Sequence, residues 1–236
     1  MKTRLIHLVI ILSSLNSFAA KPGTYSDPAK FNKAIMQFET EDRNTPSPAG
    51  AVLCIGSSSM RMWHGMIEED LAPLTLIKRG FGGSNMNDVL HYADRIVLPY
   101  QPRAIVLYEG DNDVAQGVPP AKIFETFQAF VEKVHAALPD CRFYILPAKP
   151  SPKRQHLWPT MQEANNLIAA ECAKDARMTF VDIASPMLLS DGTPNPELFL
   201  KDQLHMNRAG YEIWRDTLKP ILLQNELKFK AEETTE

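Results

Sequence analysis

Five short apolar runs punctuate the chain, at Ala51–Ile55, Leu74–Ile77, Ala104–Tyr108, Phe143–Leu146 and Met178–Val181, each rich in β-branched or aromatic residues and bounded by polar or turn-forming positions. Their apolarity is largely continuous rather than alternating, as strands covered on both faces require. Between them the period changes. Ile123, Phe127, Phe130, Val131, Val134 and Leu138 share one helical face after Pro119-Pro120, where proline's fixed φ and missing N–H suit a first turn. Residues 31–41 carry a helical pattern too, and Asn207 is placed to cap a last helix bearing Tyr211, Trp214 and Leu218. Strands alternating with helices predict parallel βαβ units, hence an α/β fold: a three-layer αβα sandwich around a five-stranded parallel sheet. No internal repeat or linker divides it.

The ends of the chain read differently. Met1-Lys2-Thr3-Arg4 is cationic, Leu5 to Leu15 is largely apolar, and Ser17-Phe18-Ala19 has the small residues of a cleavage site, so residues 1–19 are expected to be a signal peptide and the protein to be secreted or periplasmic. His7, Ser13, Ser14 and Asn16 interrupt the apolar stretch, short of the roughly 18 residues a spanning helix needs, so no stable membrane anchor is expected. Residues 20–48 follow as an N-terminal segment with a helix, 49–224 as the α/β domain, and 225–236 as a polar C-terminal tail.

Composition narrows the function classes. Lys and Arg number 25 against 28 Asp and Glu, a net charge of -3, and without a basic surplus nucleic acid is not an expected partner. Three cysteines, Cys54, Cys141 and Cys172, exclude a disulfide framework and any CxxC motif, leaving one bridge, Cys141 to Cys172, open for an exported chain. His64, His91, His135 and His156 form no close ligand cluster, so neither a metal nor another cofactor is expected.

Open parallel sheets bind ligands at the carboxyl ends of their strands, and the residues there are unusual. Gly56-Ser57-Ser58-Ser59 follows the first run, Arg79-Gly80-Phe81-Gly82-Gly83-Ser84-Asn85 the second and Glu109-Gly110-Asp111-Asn112-Asp113 the third, while Asp202-Gln203-Leu204-His205 precedes the last helix. A serine hydroxyl needs a neighbouring imidazole to take its proton, and the imidazole needs a carboxylate to hold its tautomer. His205 and Asp202 fit those roles. Acyl transfer also needs donors aimed at an oxyanion, for which Gly83 offers its backbone and Asn112 its side-chain amide. The glycine-rich loop lacks the third glycine of a dinucleotide-binding fingerprint and follows the second strand; the Asp111-Asn112-Asp113 run lacks the spaced ligands of a calcium loop. Asp113 reads instead as ordering the loop that presents Asn112.

In this order the four blocks resemble the SGNH or GDSL-like hydrolase superfamily of esterases and acylhydrolases, over residues 50 to 220. The resemblance implies Ser58 as nucleophile, Asp202 and His205 as acid and base, Ser58, Gly83 and Asn112 as the oxyanion hole, a flavodoxin-like sheet of order 2-1-3-4-5, and hydrolysis through an acyl-enzyme. One departure stands out: the usual Gly-Asp-Ser is here Gly56-Ser57-Ser58, which leaves Ser58 as the nucleophile but loosens any inference about substrate; Ser57 and Ser59 are the competing candidates. Trp63 falls where that block often carries an aromatic. Arg61 and Trp63, just past the nucleophile, either pack or line the cleft; Lys153, Arg154 and Trp158 are candidate substrate contacts in the segment 147–158, expected to overhang it. The expected function is that of an exported serine esterase acting on a small or polymer-bound carboxylic ester, such as an O-acetyl or short-chain acyl group on a carbohydrate. A lipase or lysophospholipase-type acylhydrolase and a non-catalytic carbohydrate-binding protein are the alternatives, and the oligomeric state stays open.

Overall fold

The structure, a computed structural model, describes residues 23–230; the expected signal peptide and residues 231–236 of the tail lie outside the described residues. The chain runs α1 (Asn32–Asn44), β1 (Val52–Gly56), α2 (Ser58–Trp63), α3 (Ile67–Asp70), β2 (Leu76–Gly80), α4 (Met86–Ile96), β3 (Ala104–Tyr108), α5 (Asp111–Ala115), α6 (Pro120–Ala137), β4 (Arg142–Leu146), α7 (Trp158–Cys172), β5 (Met178–Phe180) and α8 (Arg208–Lys230), with short 3-10 turns between. All strand pairs are parallel, in the order β2-β1-β3-β4-β5. The sheet is therefore the expected one. Its register aligns Gly56 with Gly80 on one side and Tyr108 on the other, so three chain segments leave the sheet side by side at its carboxyl edge.

Both faces are covered, which explains the unbroken apolarity of the strands. Leu53, Ile55, Ile105, Leu107, Phe143 and Ile145 join a core with residues of α1, α4, α6 and α7. Val52, Cys54, Val106, Tyr108, Tyr144 and Leu146 face the other way, onto α2, α3 and α8. A smaller cluster, including Val114, Val118, Ile123 and Met161, supports the β3–α5 loop from below. The segment before β1 is integral to this core: Ile35 is fully buried, and Glu39 takes a two-pronged hydrogen bond from Arg95 on α4 at 2.6 and 2.8 Å.

Several boundaries shift by a few residues, and two of the shifts have a reason that local pattern does not carry. β2 continues past Ile77 because its charged residues find partners at the sheet edge: Lys78 pairs with Glu68 at 2.8 Å, and Arg79 lies between Asp42 and the Tyr100 hydroxyl. Nor does the tail begin at residue 225. The last helix runs on to Lys230 because Glu226, fully buried, accepts hydrogen bonds from Arg142 at 2.7 and 2.8 Å, from Arg103 at 3.2 Å and from the Tyr144 hydroxyl at 2.6 Å. Burial alone would raise this carboxyl's pKa; the hydrogen bonds from Arg142 and Tyr144 outweigh it and hold it below the usual range. Asn207 caps the start of the same helix, its Oδ1 accepting from the Gly210 N–H at 3.2 Å.

Trp63 takes the packing role. It is fully buried, stacks on Tyr211 with ring centroids 5.8 Å apart, meets Trp214 edge-on at 5.7 Å, and donates its indole N–H to Asp70 at 2.7 Å. Asp70 in turn receives Arg208 from α8. The three cysteines are buried and unbridged, and burial pushes each thiol up to about 12. Among the described residues no helix is long and apolar enough to cross a membrane.

Candidate active site

The site begins with a glycine that no other residue can replace. Gly56 has φ +150°, and a Cβ there would lie 2.2 Å from the Tyr108 carbonyl oxygen. Only a bare backbone lets β1 end so close to β3. The chain then turns, Ser57 donating its N–H to that same oxygen at 3.2 Å, and α2 starts at Ser58. Ser57 and Ser59 are each 1% exposed, whereas Ser58 is partly open and its Oγ lies 3.0 Å from His205 Nε2. Of the three serines, Ser58 is the one that meets the imidazole.

His205 is oriented from its other side. Its Nδ1 lies 2.6 Å from Asp202 Oδ2, while Asp202 Oδ1 accepts the backbone N–H groups of Leu204 and His205, each at 3.0 Å. A carboxylate can only accept, so the ring proton sits on Nδ1 and Nε2 is free to receive the Ser58 hydroxyl proton. For Asp202 partial burial works to raise the pKa, but the hydrogen bonds from the His205 ring and from the two N–H groups prevail and bring it down to about 2. The carboxylate stays ionised through any ordinary working pH.

Opposite the serine stand two loops stitched together. Gly83, φ +89°, occupies the third position of a turn closed by the Ser84 N–H to the Phe81 carbonyl at 3.3 Å, where a positive φ favours glycine. A Cβ at Gly83 would meet nothing within 4 Å, so the requirement is conformational and the space above the loop is open. The N–H groups of Ser58 and Gly83 enter none of the backbone hydrogen bonds that close these loops. Asn112 donates one amide hydrogen to the Ser84 carbonyl at 2.9 Å and accepts from Arg154 at its Oδ1, also at 2.9 Å. Its second amide hydrogen remains for a ligand. Asp113 does order this region: its carboxylate accepts the N–H groups of Gly110 and Met86, each at 3.0 Å, and so joins the β3–α5 and β2–α4 loops.

Beneath Asn112 lies a charge cluster. Glu109, Asp111, Asp113 and Lys149 are all buried. Burial, reinforced by the nearby Asp113, holds the Glu109 carboxyl well above the usual range, and burial raises Asp113 to about 7. Ser84 Oγ–H donates to Glu109 at 2.5 Å. The cations come from the far side of β4: Lys149 Nζ is 3.5 Å and Arg154 Nη1 3.1 Å from the same Asp111 oxygen. The acids are conspicuous in the sequence, and a run so close to buried strands signals that each must find a cation, a hydrogen-bond donor or a proton. Which of these each finds is a matter of topology, and the buried Lys149–Asp111 pair was not legible.

The segment 147–158 does reach the cleft, in its own way. Arg154 is engaged with Asp111 and Asn112; Lys153 is exposed and bonds the loop of His205 through its backbone, N–H to the Gln203 carbonyl at 2.9 Å. Trp158 packs partly buried against the cluster under the β3–α5 loop. Arg61 is exposed and lies over Gly82. With His64, Lys78, Phe31 and Phe38 it lines a groove of about 460 Å³ next to the glycine loop.

Comparison with known proteins places the fold and the family. Residues 48–213 match the GDSL-like Lipase/Acylhydrolase family. Among solved structures the chain is similar to a candidate acylhydrolase from Bacteroides fragilis (TM-score 0.71, 20% identity, covering 85% of this chain and 99% of that one) and to a GDSL-like lipase from Bacteroides thetaiotaomicron (TM-score 0.67, 22% identity, 80% and 97%). A variant of an acetyl-xylooligosaccharide esterase from Geobacillus shares the fold as well (TM-score 0.58, 16% identity, 75% and 94%). No curated protein matches the sequence significantly. The extent of the family match, from just before β1 into α8, leads to one conclusion: the chain belongs to the GDSL-like lipase/acylhydrolase family, whose members hydrolyse esters.

Proposed function

We propose that the protein is an exported serine esterase that removes a short acyl group, such as O-acetyl, from a carbohydrate. The observation that carries the reading is the relay from Ser58 Oγ to His205 Nε2 at 3.0 Å and from His205 Nδ1 to Asp202 at 2.6 Å, facing unengaged donors on Ser58, Gly83 and Asn112. In this reading the Ser58 oxygen attacks the ester carbonyl carbon while His205 takes its proton. The carbonyl oxygen becomes an oxyanion held by the Ser58 and Gly83 N–H groups and the Asn112 amide. Collapse expels the alcohol, protonated by His205. Water, activated by the same imidazole, then attacks the acyl-enzyme and frees the acid and Ser58.

Two features favour a short acyl group on a polar alcohol. The groove beside the glycine loop sets Arg61, His64 and Lys78 against Phe31 and Phe38, a mixed lining that suits a sugar, with its hydroxyls and apolar ring faces, better than a long hydrocarbon chain. The acetyl-xylooligosaccharide esterase among the structural neighbours supports the same choice. Export rests on the cationic and apolar pattern of residues 1–19.

A fluorophosphonate probe should label the protein at Ser58, and Ser58→Ala should abolish labelling and lower turnover of a short-chain aryl ester by several orders of magnitude. Full activity in that variant would refute the nucleophile. Acetylated oligosaccharides should be cleaved faster than long-chain glycerides; the reverse preference would favour the lipase reading.

A further inference from the structure

We propose that Arg154 is the positioning residue of the oxyanion hole: it sets the orientation of the Asn112 amide and strengthens the hydrogen bond that amide offers. The role in turnover rests on the esterase reading above; the contact itself does not. An asparagine amide has two ends of nearly equal shape and opposite chemistry, so something must decide which end faces a ligand. Here both ends are constrained. The Ser84 carbonyl accepts from Nδ2 at 2.9 Å and Arg154 Nη2 donates to Oδ1 at 2.9 Å. A flipped amide would set oxygen against oxygen at Ser84 and an NH₂ group against a guanidinium, losing both bonds and adding two repulsions. The second hydrogen on Nδ2 is thereby aimed before substrate arrives. A cation on Oδ1 also draws electron density through the amide and makes that hydrogen a better donor, as hydrogen bonds in series do.

Arg154 is itself held. Its Nη1 is 3.1 Å from the Asp111 carboxylate, its backbone N–H bonds the Ser151 carbonyl at 3.0 Å, and the preceding N–H, on Lys153, bonds the Gln203 carbonyl inside the loop of Asp202 and His205. Nη2 makes the hydrogen bond to Asn112 while Nη1 lies at ion-pair distance from Asp111, so two separate nitrogens face two anionic or carbonyl oxygens. A planar guanidinium can do this; an ammonium, a single point of charge, cannot hold the same fork. One short segment after β4 thus fixes the oxyanion amide with a side chain and the acid-base loop with its backbone.

The test compares Arg154→Met and Arg154→Lys; in both, Asp111 keeps Lys149 as its buried cation. Steady-state kinetics on a short-chain aryl ester should show kcat reduced roughly 10- to 100-fold in Arg154→Met, less than removing an oxyanion donor outright, with KM within about twofold and little recovery in Arg154→Lys. Affinity for an alkyl boronic acid, whose tetrahedral adduct resembles the intermediate, should fall by the same factor as kcat. Adding Asn112→Ala to Arg154→Met should cost far less than it does alone, because the two act through one bond. With asparagine-selective ¹⁵N labelling, the side-chain amide signals of Asn112, assigned by their loss in Asn112→Ala, should shift or broaden in Arg154→Met and persist unchanged on replacement of the neighbouring exposed Lys153. Unmoved Asn112 signals would overturn the proposal, as would a KM effect without a kcat effect, or additivity with Asn112→Ala. If the wild-type protein hydrolyses no ester but its Asn112 signals still depend on Arg154, the esterase reading fails and the positioning contact stands.

Discussion

Asp202 and His205 sit three residues apart on a loop where their side chains are 49% and 25% exposed, whereas Asn112 reaches the same cleft from a loop whose acids Glu109, Asp111 and Asp113 are all buried. The contrast follows the work each half does. An imidazole that becomes charged mid-reaction is helped by water and an ionised carboxylate alike, and a three-residue turn is enough to hold the pair. An oxyanion hole has to be aimed before charge develops, in surroundings dry enough for each dipole to count. In the proposed esterase the candidate parts are long-range: Asn112 is held by Ser84 and Arg154, residues 28 and 42 positions away.

Substitutions on the two sides should separate rate from stability. Asp202→Asn keeps the shape but offers the ring an amide that favours the wrong tautomer, and turnover should fall on the order of 10³ to 10⁴, with the unfolding midpoint little changed because the carboxylate is half in water. Asn112→Ala should lower turnover by about 10² to 10³ and, unlike Asp202→Asn, also cost about 1–3 kcal/mol of stability by leaving the Ser84 carbonyl and one guanidinium nitrogen of Arg154 without their hydrogen-bond partner. Kinetics and urea unfolding of both variants check this; equal stability losses would erase the distinction. At the opposite edge of the sheet, Glu226→Ala should leave the rate of the folded enzyme unchanged but cost about 3–5 kcal/mol, since it removes the buried anion that Arg142 and Tyr144 bond.

A last effect is a pH slope. Asp113, raised to about 7 by burial, keeps its proton in the folded protein over a range where the unfolded chain, titrating near about 3.9, has lost it. The folded state then binds more protons, so stability should decline as pH rises from about 4 to about 7. Glu109, raised in the same direction, adds to the slope. Asp113→Asn should flatten it without abolishing it, as measured by urea midpoints across that range. A slope identical to wild type would show that Asp113 is ionised in the folded protein.

Much of this protein is written locally. Continuous apolar runs mark strands covered on both faces, the 3.6-residue period after Pro119-Pro120 marks α6, and Asn207 marks the start of α8, because each depends on residues a few positions apart. The chemistry-bearing blocks were legible for a related reason: a parallel sheet delivers whatever follows its strands to one edge, so Ser58, Gly83 and Asn112 could be singled out before any coordinates. Tertiary structure decided the rest. It buried Ser57 and Ser59 and left Ser58 beside His205, placed Trp63 in the core, drew Arg154 onto Asn112, and carried the last helix past residue 225 to lodge Glu226 among the arginines. Each outcome turns on burial or on pairing between distant charges. Local spacing sets which way a side chain leaves its own helix or strand, but only the folded arrangement sets what waits for it there.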